Sequence, residues 1–253
     1  MSEAVQTLNG WYALHDYRSI DWASWNSVSE EDQQDVLEEL QVFIRKVYSA
    51  GEARTGSTNV YTVIGHKADL LFMHFRPTLE ELEEVETEFN KLRFADFTYR
   101  PTSYFSVVEL STYTTDPETA ALDPAIQARL NPILPKNKYV CFYPMNKKRS
   151  GQDNWFMLPM NERGAFMKQH GLTGRKYAGK VLQIVTGSTG FDDWEWGVTL
   201  LSDDPIYFKK LVYEMRFDEV SARFAEFGQF FIGTLVDENR IKDYLAIKNE
   251  NKK

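Results

Sequence analysis

Residues 60–92 read VYTVIGHKADLLFMHFRPTLEELEEVETEFNKL, and residues 181–215 read VLQIVTGSTGFDDWEWGVTLLSDDPIYFKKLVYEM. Both have two apolar runs around a turn, followed by an amphipathic segment at helical spacing. In the first, Val60–Ile64 and Leu70–Phe75 flank Gly65-His66-Lys67, a hairpin signal. Thr78-Leu79-Glu80-Glu81 then has the form of a capping box. It opens a helix with Leu79, Leu82, Val85, Phe89 and Leu92 inward and a solvated glutamate face. In the second, Val181–Thr186 and Trp196–Leu201 bracket a turn at Ser188–Asp193. Asp204-Pro205 starts a helix to Met215, with proline in its first turn.

Outward from each stretch the order is the same. A strand at Trp11–His15 and a helix at Glu30–Val47 precede the first, with Ser27-Val28-Ser29-Glu30 as a capping pattern, and a strand at Ser103–Leu110 follows. A strand at Tyr139–Tyr143 and a helix at Met160–His170, ended by Gly171 as a C′ residue, precede the second, and a strand at Ala225–Leu235 follows. The chain is therefore an α+β protein of two tandem ferredoxin-like βαββαβ repeats. Residues 1–114 form the N-terminal half, 115–137 a linker and 138–253 the C-terminal half. Each sheet has helices on one face only, so packing the two bare faces together gives a dimeric αβ-barrel.

The chain of 253 residues, 43% hydrophobic and 14% aromatic, has ample material for such a core and excludes a disordered or low-complexity chain. The lone Cys141 gives no internal disulfide. No basic-then-apolar leader opens the sequence and no long apolar run occurs, so a cytoplasmic protein without a membrane segment is expected. A net charge of −8 argues against nucleic acid as a partner. Yet residues 129–180 hold eleven Lys and Arg against only Asp153 and Glu162. That basic block is either a solvated loop or a focus for an anionic ligand.

Walker, dinucleotide, zinc-protease and serine-hydrolase signatures are absent. Four scattered histidines do not suit a multi-histidine zinc site, whereas a porphyrin iron needs only one protein ligand. His170 is the candidate, although a histidine at a helix end can simply meet the dipole, worth ~0.3–1 kcal/mol. His15, His66 and His74 read as structural or solvated. Tyr143-Pro144-Met145-Asn146-Lys147-Lys148-Arg149 runs from a strand into three cations, a pattern suited to carboxylate or phosphate, or to an ordinary surface loop.

The segments Cys141–Arg149, Asp153–Met160 and His170-Gly171 closely resemble the coproheme decarboxylases of Gram-positive bacteria, the haem-synthesising, chlorite dismutase-like proteins. Asn9–Asp16, Gly190–Gly197 and Met215–Glu219 match as well. The resemblance covers essentially the whole chain and implies a tandem ferredoxin-like barrel, a homopentamer, and Fe-coproporphyrin III as both substrate and redox cofactor. Hydrogen peroxide would convert two propionates to vinyl groups, giving haem b (protohaem) and two CO2. His170 would be the iron ligand, and the phenoxyl radical of Tyr143 would take hydrogen from the reacting propionate. Arg129, Lys147 and Ser221 would hold propionates, while Pro144, Met145 and Asn146 complete the binding strand. Met145 and Trp155 would line the pocket. Gln183 falls where chlorite dismutases place a distal arginine. The resemblance also suggests transient contact with a coproporphyrin ferrochelatase. The competing readings are haem binding or delivery without turnover, and chlorite dismutase or peroxidase activity.

Overall fold

The computed structural model describes residues 3–113 and 116–246, so the expected boundary between residues 114 and 115 lies outside the described residues. The N-terminal half runs β1 (Thr7–Ile20), α1 (Trp22–Ser27), α2 (Glu30–Ala53), β2 (Ser57–Val63), β3 (Leu70–Arg76), α3 (Leu79–Asn90) and β4 (Thr98–Ser111). The expected linker contains two short helices, α4 (Pro117–Leu122) and α5 (Pro124–Leu130). Asp116 and Asp123 cap them, and each has proline in its first turn. The C-terminal half begins with β5 (Tyr139–Lys147), the small hairpin β6 (Arg149–Ser150) and β7 (Asp153–Asn154), and α6 (Met160–Arg175). It continues through β8 (Leu182–Gly187), β9 (Trp196–Ser202), α7 (Ile206–Met215), α8 (Glu219–Phe224), β10 (Ala225–Phe227), β11 (Phe231–Val236) and α9 (Glu238–Leu245).

The strand order is β2-β3-β1-β4 in one half and β11-β5-β9-β8 in the other, both antiparallel throughout. Both are the ferredoxin-like order. The two sheets do more than stack. β11 pairs with β2 and β4 with β8, so the halves also join edge to edge and the eight strands close into one barrel. Strand twist carries the outer strands toward each other, and closure pairs each of these eight strands on both sides, with β10 attached to β5 outside the ring. Side-chain alternation then sends Ala13, His15 and Tyr17, Tyr104 and Val108, and Val140 and Phe142 into a fully buried interior. His15 stacks on Phe142 at 4.1 Å and bonds Thr199 Oγ1 at 3.0 Å, and burial holds its imidazole neutral by lowering its pKa to about 3. His74 is likewise buried against Thr58 at 2.9 Å, and His66 is exposed in the β2–β3 turn.

Val36, Leu40, Phe43, Ile44 and Val47 of α2 cover the outer face of the N-terminal sheet, packing with Val60, Leu70 and Phe72. Ile241 and Leu245 of α9 join the same cluster, so the last described helix docks on the N-terminal half. The Thr78 capping box is present, but Leu79, in the first turn of α3, is 45% exposed, and Leu82, Val85 and Phe89 form the buried face. Ser29 rather than Ser27 caps α2, through the Asp32 amide, since α1 occupies residues 22–27. The expected last strand is broken at residues 228–230 into β10 and β11. No described helix is long and apolar enough to cross a membrane.

α6 does not end at Gly171 but runs on to Arg175. Thr173 is buried and holds the extra turn in place, and the left-handed glycine beyond it is Gly179, at φ +76°. A glycine inside a helix costs about 1 kcal/mol, which packing overrides. His170 is therefore five residues from the helix end, too far for the terminal dipole to explain it.

Candidate functional site

Alternation along β5 puts Cys141, Tyr143, Met145 and Lys147 on its outer face, away from the barrel interior. Register extends this face across three strands: Tyr143 pairs with Val198 and Val198 with Val185, while Cys141 pairs with Leu200 and Leu200 with Gln183. Tyr143 and Gln183 thus share one surface, on the order of 10 Å apart. Val198 is 7% exposed but Val185 is 37%, so α7 covers the β5–β9 side and leaves β8 bare.

α6 spans this surface. Phe166, His170 and Gly174 recur at one-turn intervals and form a single stripe. At one end Phe166 packs 6.4 Å from Trp155, whose ring holds Lys147 Nζ at 4.9 Å. At the other end a Cβ on Gly174 would lie 3.3 Å from Met215 Cε and 3.7 Å from Gln183 Nε2. His170 sits between these two anchor points. Its Nδ1–H donates to Oδ2 of Asp218 at 2.7 Å. The His170 side chain is 30% exposed and that of Asp218 only 2%. A carboxylate on one ring nitrogen fixes the tautomer and leaves Nε2 as a ligand.

Tyr143 stacks on Phe230 at 4.5 Å, and its hydroxyl has no hydrogen-bond partner among the described residues. Burial pushes the phenol above its ordinary range, the Cys141 thiol adds to this, and Arg216 opposes it. Lys147 is also buried, which pulls its ammonium down to about 8 against the upward pull of Asp218 and Glu195. No described carboxylate lies within ion-pair distance of Lys147 Nζ. Glu195 instead accepts the Lys147 backbone N–H at 2.9 Å and pairs with Arg149. A buried cation without an ion pair is costly unless an anion joins it.

The remaining expected residues fall into different places. Ser221 is buried on α8 and donates its hydroxyl to Asp218 at 3.3 Å, beside His170. Met145 is on the Tyr143 face, partly buried. Pro144 and Asn146 occupy the opposite face of β5, where Asn146 Oδ1 accepts the Glu195 N–H at 2.8 Å and Pro144 packs near Gly228. Arg129 is exposed at the end of α5, with no hydrogen bond or ion pair among the described residues. That helix is held to β1 where the Leu130 carbonyl lies against Gly10. Sequence reasoning assigned nothing to Asp218 or Glu195. Asp218-Glu219-Val220-Ser221 does carry a helix-cap pattern, but nothing local signals a partner 48 positions earlier.

A flat, carboxylate-bearing iron porphyrin fits this set of donors. Nε2 of His170 has no hydrogen-bond partner among the described residues and its ring is oriented by Asp218, while a buried ammonium and phenol await polar partners. A sequence-family model described as chlorite dismutase matches residues 33–236. A solved structure of a heme-binding protein from Thermus thermophilus is 51% identical, covers 98% of this chain and 99% of its own, and superposes with a TM-score of 0.93. A chlorite dismutase variant from Candidatus Nitrospira defluvii is 19% identical over 94% of this chain and 96% of its own, with a TM-score of 0.76, a likeness of fold.

Proposed function

The chain belongs to the chlorite dismutase family, and from that membership and its own site chemistry we propose that it is a coproheme decarboxylase. The observation that carries the reading is the pairing of Tyr143 and Lys147. A buried phenol and a buried ammonium lie on one strand face, neither hydrogen-bonded to a described side chain, below the stripe that holds His170. Simple haem binding has no use for an oxidisable hydroxyl at that point.

In this reading His170 holds the iron through Nε2, with Asp218 fixing the ring. Lys147 pairs with a propionate and turns its chain toward Tyr143. The bound iron supplies the oxidising equivalents of hydrogen peroxide. Tyr143 gives up its Oη hydrogen, and the phenoxyl oxygen then takes a hydrogen atom from the propionate carbon. Each propionate, one H2O2 and one proton become a vinyl group, CO2 and two waters, a two-electron oxidation. Two such rounds turn Fe-coproporphyrin III into haem b. The buried phenol stays protonated at neutral pH, which suits transfer of a hydrogen atom over loss of a proton.

Assembly as a homopentamer in the cytoplasm, and substrate handed over by a coproporphyrin ferrochelatase, belong to the same proposal. The second reading is haem binding without turnover, favoured by the 51% identical heme-binding protein. One experiment separates them: load the protein with Fe-coproporphyrin III, titrate hydrogen peroxide, and follow porphyrin mass. Two successive losses of CO2 support the decarboxylase; bleaching without them overturns it.

A further inference from the structure

Residues 228–230, which part β10 from β11, set two aromatic rings against Tyr143. Opposite β5, Phe227 pairs with Met145 and Phe231 with Phe142. Three steps along β5 therefore face four along its neighbour, the one-residue excess of a β-bulge. Plain alternation would send Phe227 and Phe230 to opposite faces. With the extra residue both lie on the outer face, while Phe231 still points into the barrel, 4.2 Å from the ring of Tyr17. The bulge is tightly closed. Gly228 N–H donates to the Pro144 carbonyl at 2.8 Å, and a Cβ on Gly228 would lie 2.7 Å from Pro144 Cγ and 2.9 Å from Trp194 Cζ2.

The other half of the chain holds this bulge in place. Lys67, in the β2–β3 turn, donates from Nζ to the Phe230 carbonyl at 2.6 Å and stands 5.4 Å from the centre of the Phe231 ring. Beside it the Ile64 N–H donates to the Ile232 carbonyl at 2.8 Å. A charge-assisted bond is roughly twice as strong as a neutral one, and this one acts on a residue between the last rung of β10 and the first of β11. The Tyr143 hydroxyl has no hydrogen bond among the described residues, so packing sets the position of its ring. Phe230 is the nearer and more nearly parallel neighbour, at 4.5 Å and 25° against 5.7 Å and 53° for Phe227.

We propose that Lys67 and Phe230 are positioning residues: the turn of the N-terminal half fixes the bulge, and the bulge fixes the Tyr143 phenol. The proposal rests on the decarboxylase reading above. Transfer of a hydrogen atom to the phenoxyl oxygen depends on the distance and angle at which that oxygen meets the C–H bond. A phenol loose in its seat would change both.

Tyrosine labelled with 13C at the ring ε positions reports the seat in the metal-free protein, the Tyr143 signals being assigned by their loss in Tyr143→Phe. In wild type the two edges of the ring should give separate signals. Lys67→Met and Phe230→Leu should each merge them into one averaged signal, whereas Lys67→Arg, which keeps a charged donor, should preserve the separation. Loaded with Fe-coproporphyrin III, the first two variants should show a Soret titration like wild type yet roughly tenfold less haem b per added peroxide. Lys67→Arg should restore most of that yield. Separate signals in both folded variants, or a merged signal in wild type, overturn the proposal whatever the yield. Merged signals with wild-type haem b yield overturn it as well, unless Tyr143→Phe also makes haem b at the wild-type rate. That last result overturns instead the role of Tyr143 on which the proposal rests.

Discussion

Oδ2 of Asp218 accepts the Nδ1–H of His170 at 2.7 Å, and the same oxygen accepts the Ser221 hydroxyl at 3.3 Å and its backbone N–H at 3.4 Å. One carboxylate oxygen therefore orients the ring and starts α8. The start of that short helix and the direction of His170 Nε2 are set together.

Replacing His170 by alanine should abolish the iron–imidazole signature in resonance Raman or EPR spectra of the iron-porphyrin complex, while residual porphyrin binding persists. Asp218→Ala should weaken iron porphyrin by roughly 10–100-fold, the usual cost of losing the partner of a ligating histidine. Metal-free porphyrin should bind nearly as before. Equal losses for both porphyrins would mean that Asp218 supports the fold and not the ligand.

Tyr143→Phe should separate binding from turnover. The hydroxyl contributes at most an ordinary hydrogen bond, roughly 0.5–1.5 kcal/mol, whereas phenylalanine forms no phenoxyl radical. Soret titration with Fe-coproporphyrin III should look like wild type, and added peroxide should bleach the pigment without loss of CO2. Haem b formed at the wild-type rate would move the radical role to Tyr113 or Trp155.

Affinity for a carboxylate porphyrin should fall as pH rises through about 8. Burial lowers the Lys147 pKa to about 8 in the free protein, and an anion stabilises the charged form, so binding takes up a proton above that pH. Below about 8 the ammonium is already charged and affinity levels off. In Lys147→Met this step should vanish from a binding titration run between about pH 7 and 9.5. If the step persists in the variant, another group is responsible.

Chlorite should not be converted to chloride and oxygen at an appreciable rate. Keeping an anionic intermediate at the iron asks for a fixed positive charge on that side, and Gln183 supplies an amide without charge. Sustained oxygen evolution at an electrode would refute this.

Gly10→Ala should loosen the linker helices. A Cβ there would lie 1.9 Å from the Leu130 carbonyl oxygen, and backbone on both sides cannot yield. Roughly 1–3 kcal/mol of destabilisation follows from such overpacking, seen as a lower Tm and faster amide exchange at residues 117–130. Unchanged exchange there would show that α5 is held by other contacts.

Periodicity and turn chemistry along residues 60–92 and 181–215 sufficed for the α+β repeat, because amphipathic spacing and caps are local properties. The basic block and the strand from Tyr143 to Arg149 were legible for the same reason: adjacent residues share a strand whatever surrounds it. The αβ-barrel was legible from the repeat, but the edge-to-edge seams that close it were not, since the β2–β11 and β4–β8 pairings join residues far apart in sequence. Gly171 read as a helix stop, because a glycine's local preference says nothing of the buried Thr173 that carries α6 onward. Asp218 went unassigned because its partner is 48 positions away. Only the fold brings the helix of His170 alongside the strand of Tyr143 and Lys147, through Phe166 on Trp155: helix, strand and cap each form from local rules, but their alignment comes from packing two sheets and their helices into one barrel.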